Sequence, residues 1–345
     1  MVLLQGTYSD QQLLYNVSDP THPRLLCSIE NTSAHLLTGD TFEWLKPISA
    51  KETDVVLHSL GSGNDSLAGS FPFQVTSGSW LPDRTVMAYT AQVPSDNANF
   101  PGGGVAVYLY AQQHTGYLFT YPIAPTDCIC RFGLTPQVLA VSPDGQYVVA
   151  GWVAGKGAEP LAVYRVSDRT RVTSLDPSVM WAYWDRSGHR LFLNRFNYAV
   201  TQAWTPEAGV SSVAGAGPWT YLPGLSPDGA KVAYTAYLTD QNPVPQPRVW
   251  LYDFKAATTR MIVDKLRTQA LFVKDGWVWY LEEAACDPAT CGFPWGTQPT
   301  GKVFAMQLSA GIETEVTFAA GENPVAHPGG VNWLVFGPGE FWPAT

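Results

Sequence analysis

Charge is what this sequence has least of: Lys, Arg, Asp and Glu together make up only 14% of its 345 residues. The balance is acidic, with a net charge of −9, and no run of adjacent basic residues exceeds two. A surface for a phosphate backbone is therefore excluded, and nucleic acid is not an expected partner. No apolar run approaches the ~20 residues that span a bilayer. The opening MVLLQGTYSDQQ lacks the basic and long apolar regions of a signal peptide. The linear signatures of common enzymes are missing too: no H-E-x-x-H, no G-x-S-x-G, no Walker loop and no G-x-G-x-x-G after a strand. Cysteine is sparse, with five residues. Cys27 stands alone, Cys128 and Cys130 are one residue apart, and Cys286 and Cys291 share a Pro/Gly-rich insert. Neither spacing is a zinc knuckle.

What the chain has in quantity is apolar and aromatic surface (46% and 13%), punctuated by 31 Gly and 27 Pro. That combination excludes disorder and describes an all-β protein with a large core and many turns. The organising stretch is VLAVSPDGQYVVAGW at 138–152: an apolar strand, a Ser142-Pro143-Asp144-Gly145 turn and a second apolar strand. Proline presets φ, Asp bonds its own backbone and Gly accepts positive φ. Leu225-Ser226-Pro227-Asp228-Gly229 repeats it, and looser copies begin at Trp80, Trp184, Phe272 and Ala326, with the faintest at Trp44-Leu45-Lys46-Pro47.

The turns fall near residues 46, 82, 143, 186, 227, 274 and 328, at spacings close to the ~40–50 residues of a four-stranded propeller blade. The expected fold is a seven-bladed β-propeller of four-stranded antiparallel blades, six or eight being the alternatives, with 1–345 as a single domain. Leu13–Asp19 and the PRLLCSI that follows mimic the third and fourth strands around Leu161–Asp168. The Ala326 turn and VNWLVF look like a first and second strand. Pairing the two ends would complete a blade and remove two open edges.

These turns resemble the TolB-type propeller repeat, a relative of the WD-repeat, whose mark is an apolar residue, then Ser-Pro-Asp-Gly, then an apolar strand. Val141–Gly145 and Leu225–Gly229 match fully, and the blade-ending Trp-Asp of WD-repeats is absent. The resemblance implies a propeller. Relatives of this kind include periplasmic binding proteins, gating domains of prolyl-oligopeptidase-type enzymes and a few lyases.

The first-to-second turns are tight, whereas the second-to-third loops at 90–104, 150–160, 236–248 and 282–301 are long and irregular. Such loops on a rigid scaffold are where binding resides. Trp152, Tyr237 and Trp295 within them, together with Arg195, offer stacking surfaces and a cation, with packing between blades as the competing role for Trp152 and Tyr237. Glu282 and Glu283 end a strand at the expected channel mouth, where strand alternation lets only one face inward. Asp96, Asn97 and Asn99 precede a Gly-rich run as calcium ligands would, a solvated turn being the competing role. Calcium is the one cofactor this suggests. A Cys286–Cys291 disulfide, with the low Lys count, points to a secreted or periplasmic protein read as its mature domain, with a cytoplasmic protein of free thiols as the alternative.

The functional expectation is a non-catalytic module that binds a protein, peptide or glycan through the long-loop face. A metal-assisted polysaccharide lyase or hydrolase with its site at the channel mouth is the first alternative, and a structural or assembly subunit the second. No catalytic residue is identified.

Overall fold

The computed structural model describes residues 2–5, 11–30, 34–38, 41–49, 52–71, 75–93 except 82, 104–122 except 113, 137–151, 160–195, 201–217, 220–238, 246–287, 296–325 and 340–341. All regular structure among them is β, and no helix is long and apolar enough to cross a membrane. The chain divides into two compact units, Met1–Thr32 with Asn197–Thr201 and Val213–Thr345, and Ser33–Phe196 with Gln202–Ser212.

The first unit begins with β1 (Val2–Gln5), β2 (Gln11–Asn16) and β3 (Arg24–Glu30). The second unit holds four sheets. One is β4 (Ala34–Thr38), β5 (Thr41–Ser49), β6 (Glu52–Ser59) and β7 (Asp65–Phe71); the next is β8 (Val75–Trp80), β9 (Val86–Val93), β10 (Gly104–Ala111) and β11 (His114–Pro122). The third is β12 (Gln137–Val141), β13 (Tyr147–Gly151), β14 (Ala162–Arg165) and β15 (Arg171–Ser174), and the fourth β16 (Val179–Trp184), β17 (Leu191–Arg195), β18 (Gln202–Thr205) and β19 (Gly209–Ser212). The first unit then adds β20 (Thr220–Leu225), β21 (Lys231–Leu238), β22 (Gln246–Asp253) and β23 (Thr258–Val263), then β24 (Arg267–Lys274), β25 (Trp277–Ala285), β26 (Thr297–Gln307) and β27 (Ile312–Glu315), and ends on β28 (Glu340–Phe341). Each sheet is four strands paired antiparallel in simple meander order, the make-up of a seven-bladed propeller.

The chain ends do share a blade, ordered β28-β1-β2-β3, with Val2 opposite Phe341 and Leu3 opposite Glu340. The division differs from the expected two strands from each end. Val2–Gln5 pairs with Gln12–Tyr15 and supplies the second strand, so three strands come from the N-terminus and one from the C-terminus. VNWLVF and the Ala326 turn lie outside the described residues. A second correction concerns Trp44-Leu45-Lys46-Pro47, which is no turn. Those residues sit inside β5, with Trp44 opposite Ala34 and Val56, and the first-to-second pairing of that blade ends at Thr38 opposite Thr41. FEWL, DVVLHS and SLAGSF thus fall in strands two to four of one blade, whose first strand is AHLLT.

The turn chemistry is built from few parts. Ser142 Oγ donates to Asp144 Oδ1 (2.6 Å) and accepts from Tyr147 N (2.9 Å), while Asp144 Oδ1 accepts from Gln146 N (3.1 Å). Ser226, Asp228, Ala230 and Lys231 reproduce the set. In Asp185-Arg186-Ser187-Gly188 the roles are exchanged, with the Asp185 carboxylate accepting His189 N and Arg190 N and the Ser187 hydroxyl bonded to it. The fourth residue of these turns is left-handed, at φ 69° in Gly145, 75° in Gly188 and 71° in Gly229. Trp80-Leu81-Pro82-Asp83-Arg84 has the same backbone bonds, Arg84 N to Leu81 O and Leu81 N to Val86 O, but places an arginine there at φ 57°. Third-to-fourth turns use another device. Asp19 Oδ1 accepts from Thr21 N and Oγ1, and Asp168 Oδ1 from Thr170 N and Oγ1. These bonds hold both carboxyls down at about 2 and explain why the two segments look alike in sequence.

Five outer strands carry one extra residue opposite the third strand: Leu26, Ala68, Leu118, Val172 and Ile262 fall at the register shifts. Such a bulge twists an open edge away from foreign strands. The core is a set of seams between sheet faces. In the second unit one seam joins Leu45 and Val55 to Trp80, Tyr89 and Ala91, and another joins Val107 and Leu109 to Val148, Ala162 and Tyr164. In the first unit Val249, Leu251 and Val263 meet Phe272, Val278 and Tyr280, and Leu13 and Tyr15 meet Trp279 and Leu281.

Candidate functional site

In a meander sheet the second-to-third connection leaves from the end opposite the first-to-second turn. Most candidates there, Trp152, Trp295, Asp96, Asn97, Asn99 and Cys291, lie outside the described residues. Arg195 is the last residue of β17, and Tyr237 stands in β21 with its backbone opposite Pro247. Glu282 and Glu283 are described fully, and the structure corrects their setting. β25 runs on past them to Ala285, and Glu283, Ala284 and Ala285 pair with Pro299, Gln298 and Thr297. The segment 282–301 thus begins and ends as a β-hairpin extending the second and third strands. Cys286 N donates to Gly296 O at 2.9 Å, one step beyond the last pair. Cys286 is disulfide-bonded; its expected partner Cys291 lies outside the described residues.

The base of this hairpin is polar on an otherwise apolar scaffold. β24, at the sheet edge that a propeller turns inward, opens with Arg267-Thr268-Gln269 before ALFV, and all seven of these residues are buried. Arg267 stands opposite Glu282 in register. Its Nη1 donates to Glu282 Oε1 at 3.2 Å and to Leu266 O at 3.1 Å, its Nε donates to Glu313 Oε1 at 3.0 Å, and its guanidinium lies 4.3 Å from the Phe304 ring centroid. Tyr280 Oη donates to the same Glu313 oxygen at 3.1 Å, and Lys265 bonds the other. Burial alone would push the Glu313 carboxyl up, but the bonds and charges of Lys265 and Arg267 outweigh it and hold it below its usual value. Thr300 Oγ1 donates to Glu282 Oε2 at 2.9 Å. Every charge in this group therefore has an opposite partner, as a buried ion network requires.

Glu283 shares none of these partners. Its Oε2 accepts from Thr297 Oγ1. Burial raises its carboxyl above the usual range, and the hydroxyls of Thr297 and Thr268 oppose that only in part. The adjacent carboxylates thus have unlike settings: Glu282 pairs with the Arg267 guanidinium, while burial makes Glu283 bind its proton more readily. Next along β24, Gln269 is buried at φ 56° within a register shift, and its N–H donates to Thr235 Oγ1 at 2.8 Å. A bulky residue held left-handed inside a strand is strained, a feature that gathers at functional sites. Sequence reasoning passed over Arg267, Gln269 and Glu313. The available signal was the polar triplet Arg267-Thr268-Gln269 leading an inner strand of apolar residues; Glu313, 46 residues from Arg267, had none.

No protein-family model matches the chain, and no curated protein matches it. Solved structures do. An oligogalacturonate lyase from Vibrio parahaemolyticus is 8% identical, with a TM-score of 0.52 over 82% of this chain and 87% of that one. A prolyl endopeptidase is 14% identical, with a TM-score of 0.51 over 89% of this chain and 46% of that one. TolB from Acinetobacter baumannii is 15% identical, with a TM-score of 0.44 over 75% of this chain. This chain spans 61% of the TolB length. The likeness to the lyase and the endopeptidase is, at such identities, one of fold alone, and it agrees with the seven four-stranded sheets. The chain is a seven-bladed β-propeller whose Ser-Pro-Asp-Gly turns resemble those of TolB-type repeats.

Proposed function

We propose that the chain is a binding module that recognises a protein, peptide or glycan through the loops 90–104, 150–160, 236–248 and 282–301. The supporting observation is the extended hairpin of β25 and β26, which carries its strand pairing to Ala285 and Thr297 and bears the disulfide-bonded Cys286. An arm stiffened by ladder bonds, and further by the proposed Cys286–Cys291 disulfide, loses little conformational freedom when it meets a ligand, so more of the contact energy appears as affinity. The ion network at its base acts as a foundation, since Arg267 ties the first, second and fourth strands of the blade together through Glu282 and Glu313. The disulfide also favours an oxidising compartment, periplasmic or secreted.

The test replaces residues 287–296 by a two-residue turn, and in a second variant shortens 94–103. Both proteins are screened beside the parent on a glycan array and against a peptide library, with a thermal melt as the folding control. The expected result is lost binding at an unchanged melting temperature. Full binding by both variants would remove the loop face from consideration. Release of an unsaturated sugar from a polyuronide by the parent, abolished by EDTA, would put the metal-assisted lyase in place of the binding module.

A further inference from the structure

In the second unit a cleft of about 240 Å³ opens in the seam between the β4–β7 and β8–β11 sheets. Its origin can be read from equivalent positions in the outer strands. The residue that precedes the third-strand pairing shift is Gly69 opposite Val55, Phe119 opposite Val107 and Val263 opposite Val249. Phe119 stacks on Tyr164 of the adjoining sheet, ring centroids 5.8 Å apart and planes 27° apart, and Val263 is buried in its own seam. Gly69 brings no side chain to that place, and a Cβ built on it would meet nothing within 4 Å. Its neighbours Ala68 and Ser70 are small as well, and all three line the cleft.

The walls show what the vacant place suits. Met87, Tyr89 and Tyr110 come from one sheet and Val55 and Phe71 from the other, so the lining is apolar and aromatic. The Phe71 and Tyr89 rings are already in contact at 4.8 Å, and Tyr89 stacks on Tyr108 at 5.2 Å, giving the wall a fixed aromatic row. One charged pair interrupts it. Glu43 is fully buried; Arg84 Nε donates to its Oε2 at 3.1 Å, and Arg84 Nη2 stands 3.1 Å from its Oε1 as an ion contact without hydrogen-bond geometry. Arg84 Nη1 bonds to no described residue, and the Arg84 side chain keeps 31% of its surface exposed. The volume is below the ~300–1,000 Å³ of sites for drug-sized molecules, which limits the guest to one ring with a short substituent.

We propose that this cleft binds a small single-ring aromatic carboxylate. The ring occupies the place that Phe119 fills in the adjoining seam, and the carboxylate meets the Nη1 hydrogens of Arg84. Glu43, which lines the cleft beside it, keeps the guanidinium in place, so the cation is oriented before the ligand arrives.

The probe is benzoate, with benzyl alcohol as the uncharged analogue and cyclohexanecarboxylate as the non-aromatic one. Binding to the full chain is followed by calorimetry and by ligand-observed NMR, for the parent and for Gly69→Phe. The glycine there is not left-handed and has open space beside it, so this variant is expected to fold, as its circular dichroism and melt will show. Saturable benzoate binding that falls at least tenfold in folded Gly69→Phe, with both analogues weaker, is the expected result. The proposal is overturned if the parent binds no benzoate saturably, if folded Gly69→Phe binds it as well as the parent, or if either analogue binds as tightly.

Discussion

Arg84→Gly puts the turn chemistry and the buried ion pair in direct opposition. Three sibling turns carry glycine where Arg84 sits at φ 57°, so by local conformation the substitution is an improvement. A side chain in the left-handed region costs about 1–2 kcal/mol, which glycine recovers. Against this, Glu43 is fully buried and Arg84 is its cation. Removing one partner of a buried pair costs about 3–5 kcal/mol, and the partial exposure of Arg84 places this case at the lower end. The net expectation is a loss of about 2 kcal/mol. With about 2.1 cal/mol/K of unfolding entropy per residue, 345 residues give roughly 0.7 kcal/mol/K, so the melting temperature should fall by about 3 °C. Calorimetry and urea unfolding would read it, and the double variant Glu43→Gln with Arg84→Gly should recover most of the loss, because no charge is then stranded. A single Arg84→Gly variant as stable as the parent, or more so, would refute the reasoning: backbone strain would then outweigh the ion pair.

Two further outcomes follow from the geometry. Gly188 and Gly276 are both left-handed, at φ 75° and 70°, but a Cβ on Gly188 would stand 2.7 Å from the Asp144 carboxyl and 2.8 Å from its backbone N, whereas one on Gly276 would meet nothing within 4 Å. Gly276→Ala should therefore cost about 1 kcal/mol, and Gly188→Ala clearly more, in parallel urea titrations; equal costs would mean that the crowding relaxes freely. For Glu283, burial raises the folded carboxyl above its unfolded value, so between the two values the folded state holds more protons and stability declines as pH rises. Glu283→Gln removes that decline. The melting temperature of the variant relative to the parent should climb from pH 4 to pH 7, and a flat or falling difference would contradict the assignment.

The repeat was legible because its cause is local. Ser142-Pro143-Asp144-Gly145 closes its own hydrogen bonds within six residues, so any copy can be recognised wherever it stands. The same holds for Asp19-Pro20-Thr21 and Asp168-Arg169-Thr170. Trp44-Leu45-Lys46-Pro47 misled for the opposite reason. A proline suggests a turn, yet Pro47 lies in β5 opposite Thr53, where strand pairing overrides the local preference. The short Val2–Gln5 strand carried too little pattern to be seen, and it gains its place only from partners at Gln12–Tyr15 and Phe341.

At the candidate site, Glu282 and Glu283 could be chosen from sequence, but their difference could not. Glu282 pairs with the Arg267 guanidinium, whereas burial raises the Glu283 carboxyl against the opposing Thr297 hydroxyl, and both settings come from residues distant in sequence. The same division runs through the whole protein. By itself the sequence determined the all-β class, the blade period and the turn geometry, since each is set by neighbours along the chain. Only the tertiary structure decided that Arg84 answers a carboxylate 41 residues away, that Arg267 joins Glu313 across its blade, and that Gly69 leaves a seam open. Those features arise where side chains from distant strands converge, and no local pattern records the convergence.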